Sequence, residues 1–294
     1  MTPNQHPDAT APLRLALPKG RMQPAVFQLL ADAGIALRQG SREYRPTLDL
    51  PGFEAKVLKP QNIVEMLHLG SRDLGFAGAD WVRELGADLV EVLDTGLDPV
   101  QIVAAAPRAL LAAGRLPARP LVVASEYTEL ARAWIRAAGL DATLARSYGA
   151  TEVFPPEDAD CIVDNTASGA TLRANDLEVV AVLMASTTRL YANPRAWARP
   201  ERRAAIDRLA LLLGSVLDAR RRVMLEVNVA PERLEAVCAI LPCMREPTIA
   251  PLHGDAGYAV KAAVPRADLP RLIPEIKARG GTDLVVSQLA QIVS

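Results

Sequence analysis

The sequence predicts an α/β fold in two stages, an alternating strand–helix region and then a small ferredoxin-like domain. Three observations support this. From residue 13 onward, short apolar strands alternate with amphipathic helices, the pattern of a largely parallel sheet. In the middle of the chain an apolar strand turns acidic at Asp164 and runs into hydroxyl residues around Gly169. The last stretch, about 75 residues, reads βαββαβ and is long enough for an independent domain.

The elements follow in order. Residues 13–17 form a strand that the Pro-Lys-Gly-Arg turn at 18–21 ends, and 23–33 form a helix with apolar positions at 26, 29 and 30. Residues 56–58 are a strand, 62–69 a helix, 74–78 a buried strand and 80–85 a short helix. Strands at 89–93 and 100–106 continue the pattern. A second α/β stretch has strands at 120–124, 143–145, 161–163 and 177–184, with a helix at 129–138 that Gly139 stops. A long amphipathic helix spans 202–217. The final segment places strands at 222–229, 248–252, 258–264 and 283–287, and helices at 232–241 and 267–279.

Composition excludes several function classes. Across 294 residues, 33 basic residues balance 34 acidic ones for a net charge of −1, which argues against a broad nucleic-acid-binding face. The apolar runs are too short to span a membrane. Residues 1–12 are polar, without a basic start and an apolar core, so no secretion signal is expected and the protein is expected in the cytoplasm. Three cysteines, Cys161, Cys238 and Cys243, fit a reducing compartment. With His253 the last two do not complete a zinc-ligand set, so no metal site is expected.

The loop after residue 163 carries the chemistry. Side chains at a strand's carboxyl end emerge where open α/β sheets bind ligands. Gly169 lets the backbone approach an anion, and the hydroxyls of Thr166, Ser168 and Thr171, with free N–H groups at the following helix start, can bond a phosphate. Asp164 is placed to accept hydrogen bonds from sugar hydroxyls. The combination suits ribose 5-phosphate; a triphosphate loop of the GK[ST] type would need a lysine that is absent. Taken alone, the same pattern also describes a Ser/Thr-capped turn.

The segment Asp164…Ser168-Gly169-Ala170-Thr171-Leu172-Arg173-Ala174-Asn175 resembles the signature with which ATP phosphoribosyltransferases bind phosphoribosyl pyrophosphate (PRPP). The resemblance continues through Leu15-Ala16-Leu17-Pro18-Lys19-Gly20-Arg21, Ser41-Arg42, Leu58-Lys59-Pro60-Gln61-Asn62-Ile63, the stretch from Asp73 to Asp80, and Arg189-Leu190-Tyr191-Ala192-Asn193. It implies two lobes like those of periplasmic binding proteins, with residues 1–99 and 188–218 in the first and 100–187 in the second, and a regulatory ACT-like domain at 219–294. It implies a PRPP site of Glu152, Asp164, Thr166, Ala167, Ser168, Gly169, Ala170 and Thr171. The ATP and phosphate side falls to Lys19, Gly20, Arg21, Arg42, Lys59, Gly78 and Asp80. No residue is implied as a catalytic nucleophile or base, because adenine N1 already carries a lone pair. Mg²⁺ is implied as an ion travelling on PRPP. The extra C-terminal domain implies the long form, a homo-oligomer between dimer and hexamer inhibited by histidine, with Thr248 at the effector site.

Two departures stand out. The family's Gly-Lys-Cys-Arg-Leu is replaced by Asp98-Pro99-Val100-Gln101-Ile102, and Gly149-Ala150-Thr151-Glu152 replaces the commoner Gly-Ser-Val-Glu form. The competing readings are a phosphoribosyltransferase with another acceptor and a two-lobed metabolite-binding protein.

Overall fold

The computed structural model describes residues 11–38 and 44–293. The chain forms two compact units, one running through residue 210 apart from a three-residue segment, 32–34, that groups with the other, 211–294.

The first unit is built on one eight-stranded sheet. Its elements are β1 (Leu13–Pro18), α1 (Gln23–Asp32), β2 (Leu37–Arg38), β3 (Thr47–Leu48), β4 (Phe53–Leu58), α2 (Pro60–His68), β5 (Leu74–Gly78) and α3 (Ala79–Glu84). They continue with β6 (Val90–Pro107), β7 (Leu121–Ser125), α4 (Thr128–Ala138), β8 (Ala142–Arg146), β9 (Cys161–Thr166), α5 (Ala170–Ala174), β10 (Leu177–Ala192) and α6 (Pro194–Trp197). Helix α7 (Pro200–Arg221) leads out of this unit. The strand order is β4-β1-β5-β10-β6-β9-β7-β8, with β2 and β3 forming a separate two-stranded ribbon.

The expected parallel pairing holds in two outer triplets, β4-β1-β5 and β9-β7-β8. Between them, β6 and β10 run antiparallel to each other and to their outer neighbours. Each is a single long strand where the sequence pattern predicts shorter pieces. The reason is visible in their register, which shifts five times, leaving Val180, Leu183 and Thr187 as extra residues on β10. Each bulge reverses which face the next side chain takes, so the period-2 pattern breaks while the strand continues. The chain also takes positive φ at Gly96 and Asp98 inside β6.

Local rules explain the helices that frame the site. Pro60 opens α2, where a missing N–H costs nothing. Ile63, Val64 and Leu67 of α2 are wholly buried in one cluster with Ala16 of β1 and Ala77 of β5. Gly139 ends α4 in the left-handed conformation, its N–H returning to the Arg136 and Ile135 carbonyls, as its sequence position predicts.

The second unit follows the expected βαββαβ order: β11 (Arg222–Val229), α8 (Leu234–Cys238), β12 (Thr248–Pro251), β13 (Tyr258–Pro265), α9 (Leu269–Ala278) and β14 (Thr282–Gln288). Its sheet order, β12-β13-β11-β14, is antiparallel throughout, which is the ferredoxin-like arrangement. Strict alternation along β11 sends Val223, Leu225, Val227 and Val229 into the core beside Leu272 and Ile276 of α9. No helix among the described residues is long and apolar enough to cross a membrane.

Candidate active site

The site begins with the acidic face of α3. Asp80 and Glu84 are one turn apart, so they share a face, and both are buried. Each is held by groups from the other half of the unit. The Ser186 hydroxyl of β10 donates to Asp80 Oδ1 at 2.6 Å and accepts from the Asp80 N–H at 3.1 Å. The Tyr127 hydroxyl donates to Asp80 Oδ2 at 2.8 Å. Glu84 accepts from the Glu129 N–H at 3.0 and 3.1 Å and from the Leu130 N–H at 3.0 Å, so it caps the start of α4. A Cβ on Gly78 would strike Asp80 Oδ1, which explains why a glycine precedes this helix.

From Tyr127 the network crosses to β9. The Asn165 side-chain amide donates to the Tyr127 hydroxyl at 3.3 Å and to Asp164 Oδ1 at 3.1 Å, and the Asn165 N–H donates to the same Asp164 oxygen at 2.7 Å. The Tyr127 ring stacks on Trp81 with centroids 4.6 Å apart. Burial, reinforced by Asp80, raises the phenol pKa well above its ordinary value.

Strand β9 extends three residues beyond its predicted end, pairing Asp164, Asn165 and Thr166 with Val103, Ile102 and Gln101 of β6. Asp164 and Thr166 therefore share one face and Asn165 takes the other. The loop that follows turns at Gly169, whose φ of 71° and ψ of 7° suit glycine. Its N–H bonds the Thr166 hydroxyl at 3.1 Å, the Ala170 N–H bonds the Ser168 hydroxyl at 3.4 Å, and Arg173 ties down the Ser168 carbonyl at 3.0 Å. Ala167, Ser168, Ala170 and Thr171 are exposed. Asp164 through Thr171 line a cavity of ≈ 300 Å³ together with Glu152 and Arg21, so the eight residues expected at a PRPP site come together.

Burial pushes the Asp164 carboxyl up to about 6, and the charges of Glu152 and Glu126 add to the rise. A carboxylate so raised accepts hydrogen bonds from incoming hydroxyls readily, having few donors of its own.

A second cavity, ≈ 230 Å³, lies against α3. Its lining contains Lys19, Arg21, Gly78 and Asp80 from the expected set, with Trp81, Asp98, Glu126, Tyr127 and Asn165. Arg21 borders both cavities. Lys19 donates to the Tyr44 hydroxyl at 2.7 Å, and its ammonium also lies 4.5 Å from the Tyr44 ring centre. Gly20 sits at the turn between the two cations. Lys59 is exposed at the start of α2, and its neighbours Pro60 and Gln61 line the cavity. Arg42 lies outside the described residues. In the departing segment, Asp98 accepts from the Thr188 hydroxyl at 3.0 Å, so this position contributes negative charge to the wall.

Thr248 belongs to the other unit. It is exposed at the start of β12 and lines a cavity of ≈ 460 Å³ with Arg245, Glu246 and Lys261.

Trp81, Tyr127, Asn165, Ser186 and Glu84 escape sequence reasoning. The one available signal is the four-residue spacing of Asp80 and Glu84 on an evident helix; their partners lie 44 to 106 positions away. Replacing Tyr127 with Phe tests the network. It leaves the buried Asp80 one donor short, and a loss of about 1.5–3 kcal/mol is expected on urea unfolding. A change below about 0.5 kcal/mol, the range of ordinary surface substitutions, would refute the link.

The chain matches two family models, ATP phosphoribosyltransferase over residues 59–214 and HisG, C-terminal domain over residues 219–291. Among curated relatives, the ATP phosphoribosyltransferase of Pelotomaculum thermopropionicum is 37% identical over 286 residues, covering 96% of this chain and 99% of its own. That of Desulforudis audaxviator is 36% identical over the same shares. A solved ATP phosphoribosyl transferase (HisG:HisZ) complex from Thermotoga maritima resembles the fold with a TM-score of 0.61 at 24% identity, covering 69% of this chain and 96% of that one.

Proposed function

The chain belongs to the ATP phosphoribosyltransferase family, whose members join the N1 of ATP to PRPP with release of pyrophosphate, and we propose how its residues divide that work. PRPP lies along the 164–171 loop, and ATP occupies the cavity against α3. The single observation that carries this reading is the placement of Arg21, Asn165 and their network between two cavities of different character. One is lined by hydroxyls and backbone N–H groups, the other by a stacked aromatic pair.

In the reaction the adenine N1 lone pair forms a bond to ribose C1 while the bond from C1 to the pyrophosphate oxygen breaks, its electron pair leaving with pyrophosphate. Attack from the opposite side inverts C1. Asp164 and Glu152 hold the ribose hydroxyls, and Thr166, Ser168 and Thr171 with the Gly169 and Ala170 amides hold the 5-phosphate. Lys19 and Arg21 offset charge gathering on the diphosphate. No side chain acts as nucleophile or base; the rate comes from alignment and charge. Lys59, Gly78, Asp80 and Arg42 complete the ATP side of this reading.

Magnesium enters as part of the substrate, bound to PRPP. Two carboxylates, Asp164 and Glu152, border the loop, and among the described residues no group of three or more His, Cys, Asp or Glu is placed to hold a metal. Those residues fit a hydrated cation that arrives on a diphosphate and takes one or two protein oxygens.

The lobe boundaries at 99/100 and 187/188 have support in the pairing. Residues 188–192 of β10 pair with β5, while 101–105 of β6 pair with β9. We assign 219–294 to regulation by histidine, with Thr248 at the effector site, where Glu246 and Lys261 offer both charges an amino acid needs. Assembly as dimers and hexamers and a cytoplasmic location complete the proposal.

Incubating the protein with Mg²⁺, ATP and PRPP, with pyrophosphatase to draw the reaction forward, tests it. Phosphoribosyl-ATP should accumulate and should slow with histidine. Product that ignores histidine would overturn the regulatory assignment, and PRPP binding without product would overturn ATP as the acceptor.

A further inference from the structure

A third cavity of the first unit, ≈ 190 Å³, shares no lining residue with the two described above. At its base Asp73 is buried and saturated by arginine. Its Oδ2 accepts from the Arg14 N–H at 2.8 Å, Arg14 Nε at 3.0 Å and Arg202 Nη1 at 3.0 Å, and its Oδ1 from Arg14 Nη2 at 3.0 Å. One carboxylate thus serves two guanidinium groups, and the Arg202 side chain is only 9% exposed. Arg195 and Arg199 line the same cavity, and Asp73 is the sole acid in its lining.

The charge balance of the lining is four arginines against one carboxylate, an excess of three positive charges. Excess charge close to a buried guanidinium is costly unless a counter-ion meets it. Arg202 lies in the first turn of the 22-residue α7, where a helix end adds positive potential. Arginine presents its donors in a fixed fork that matches an oxyanion, and the cavity has room for one phosphoryl group but not for a nucleotide.

We propose that this pocket binds a single phosphoryl-type oxyanion, held by Arg195, Arg199 and the free edge of Arg202 above the Asp73 base. Asp73 directly precedes β5, and Asp80 follows that strand, so an anion here would clamp the end of β5 remote from the substrates. Binding should weaken with added salt.

The test is calorimetric titration with inorganic phosphate. Ser168→Ala/Thr171→Ala first weakens phosphate binding at the PRPP loop. That chain should still bind one phosphate, and adding Arg195→Gln/Arg199→Gln should weaken this binding about tenfold or more. Arg195 and Arg199 are partly exposed on the rim, so the pair should fold and, in the otherwise unchanged chain, leave the KM for PRPP unaltered. Arg202→Gln, with folding checked by circular dichroism, should give the same loss. Absence of phosphate binding in the Ser168→Ala/Thr171→Ala chain, or an affinity that Arg195→Gln/Arg199→Gln leaves unaltered, would overturn the site. Glycerol phosphate separates the sources: tighter binding than inorganic phosphate assigns the pocket to a phosphorylated metabolite, weaker binding to the free ion.

Discussion

Asp164→Asn is expected to abolish turnover and to stabilise the fold. The Asp164 carboxyl has a pKa of about 6 because it is buried, with Glu152 and Glu126 adding negative charge around it. Its folded pKa thus lies above the unfolded value of about 3.9. For a group shifted in this direction, the stabilising contribution is complete below the unfolded pKa and is lost as pH rises through the folded one. At neutral pH the ionised carboxylate therefore costs stability, on the order of 1–3 kcal/mol from a shift of roughly two units. Asparagine keeps the shape and removes that cost, so its denaturation midpoint in urea should rise.

The same change should cost activity heavily. Hydrogen bonds from ribose hydroxyls to a charged acceptor contribute about 1.5–3 kcal/mol each, so losing two lowers kcat/KM for PRPP by about 10²-fold or more. In the parent chain, kcat/KM for PRPP should fall about tenfold per pH unit below pH of about 6, as the carboxyl takes up its proton. An Asp164→Asn chain with a tenth of parental activity or more would remove Asp164 from the site.

Asp73→Ala should produce the largest loss of stability, about 3–5 kcal/mol, because it strands two arginines beside a buried position. Burial alone would raise the Asp73 pKa, but the side-chain and backbone hydrogen bonds from Arg14 outweigh it and hold the carboxyl below its ordinary range. A depressed carboxyl contributes stability above its unfolded pKa, and that contribution is lost as pH falls through the folded value. The parent chain should thus lose stability in acid below about pH 4, and the Asp73→Ala chain should show a flatter curve over the same window. Guanidinium unfolding across that range measures both, and a loss below about 1 kcal/mol would show that water already serves the arginines.

What the sequence could and could not reveal follows from the range of each interaction. The C-terminal βαββαβ unit is legible because β11 alternates without a break and buries every second residue. The 164–171 loop is legible because a hydroxyl-rich turn around glycine is a local feature, and Gly169 does take the left-handed conformation. The long strands β6 and β10 are not legible, since their bulges scramble the alternation that marks a strand. Nor are Tyr127 and Ser186, which reach Asp80 from 47 and 106 positions away, or Arg14, which reaches Asp73 across 59. No periodicity records such partners; only the folded sheet brings them together.

The shared crossing of β6 and β10 also decides how the polypeptide can be divided. Strand β5 takes its antiparallel neighbour from residues 188–192, which lie beyond the whole 121–166 region in the chain. A fragment ending near residue 99 would leave β5 with a bare edge, and a fragment starting there would carry an orphan strand end. The two halves are thus interleaved, and neither can be excised as a self-sufficient piece, although the sheet is at its most irregular where they meet.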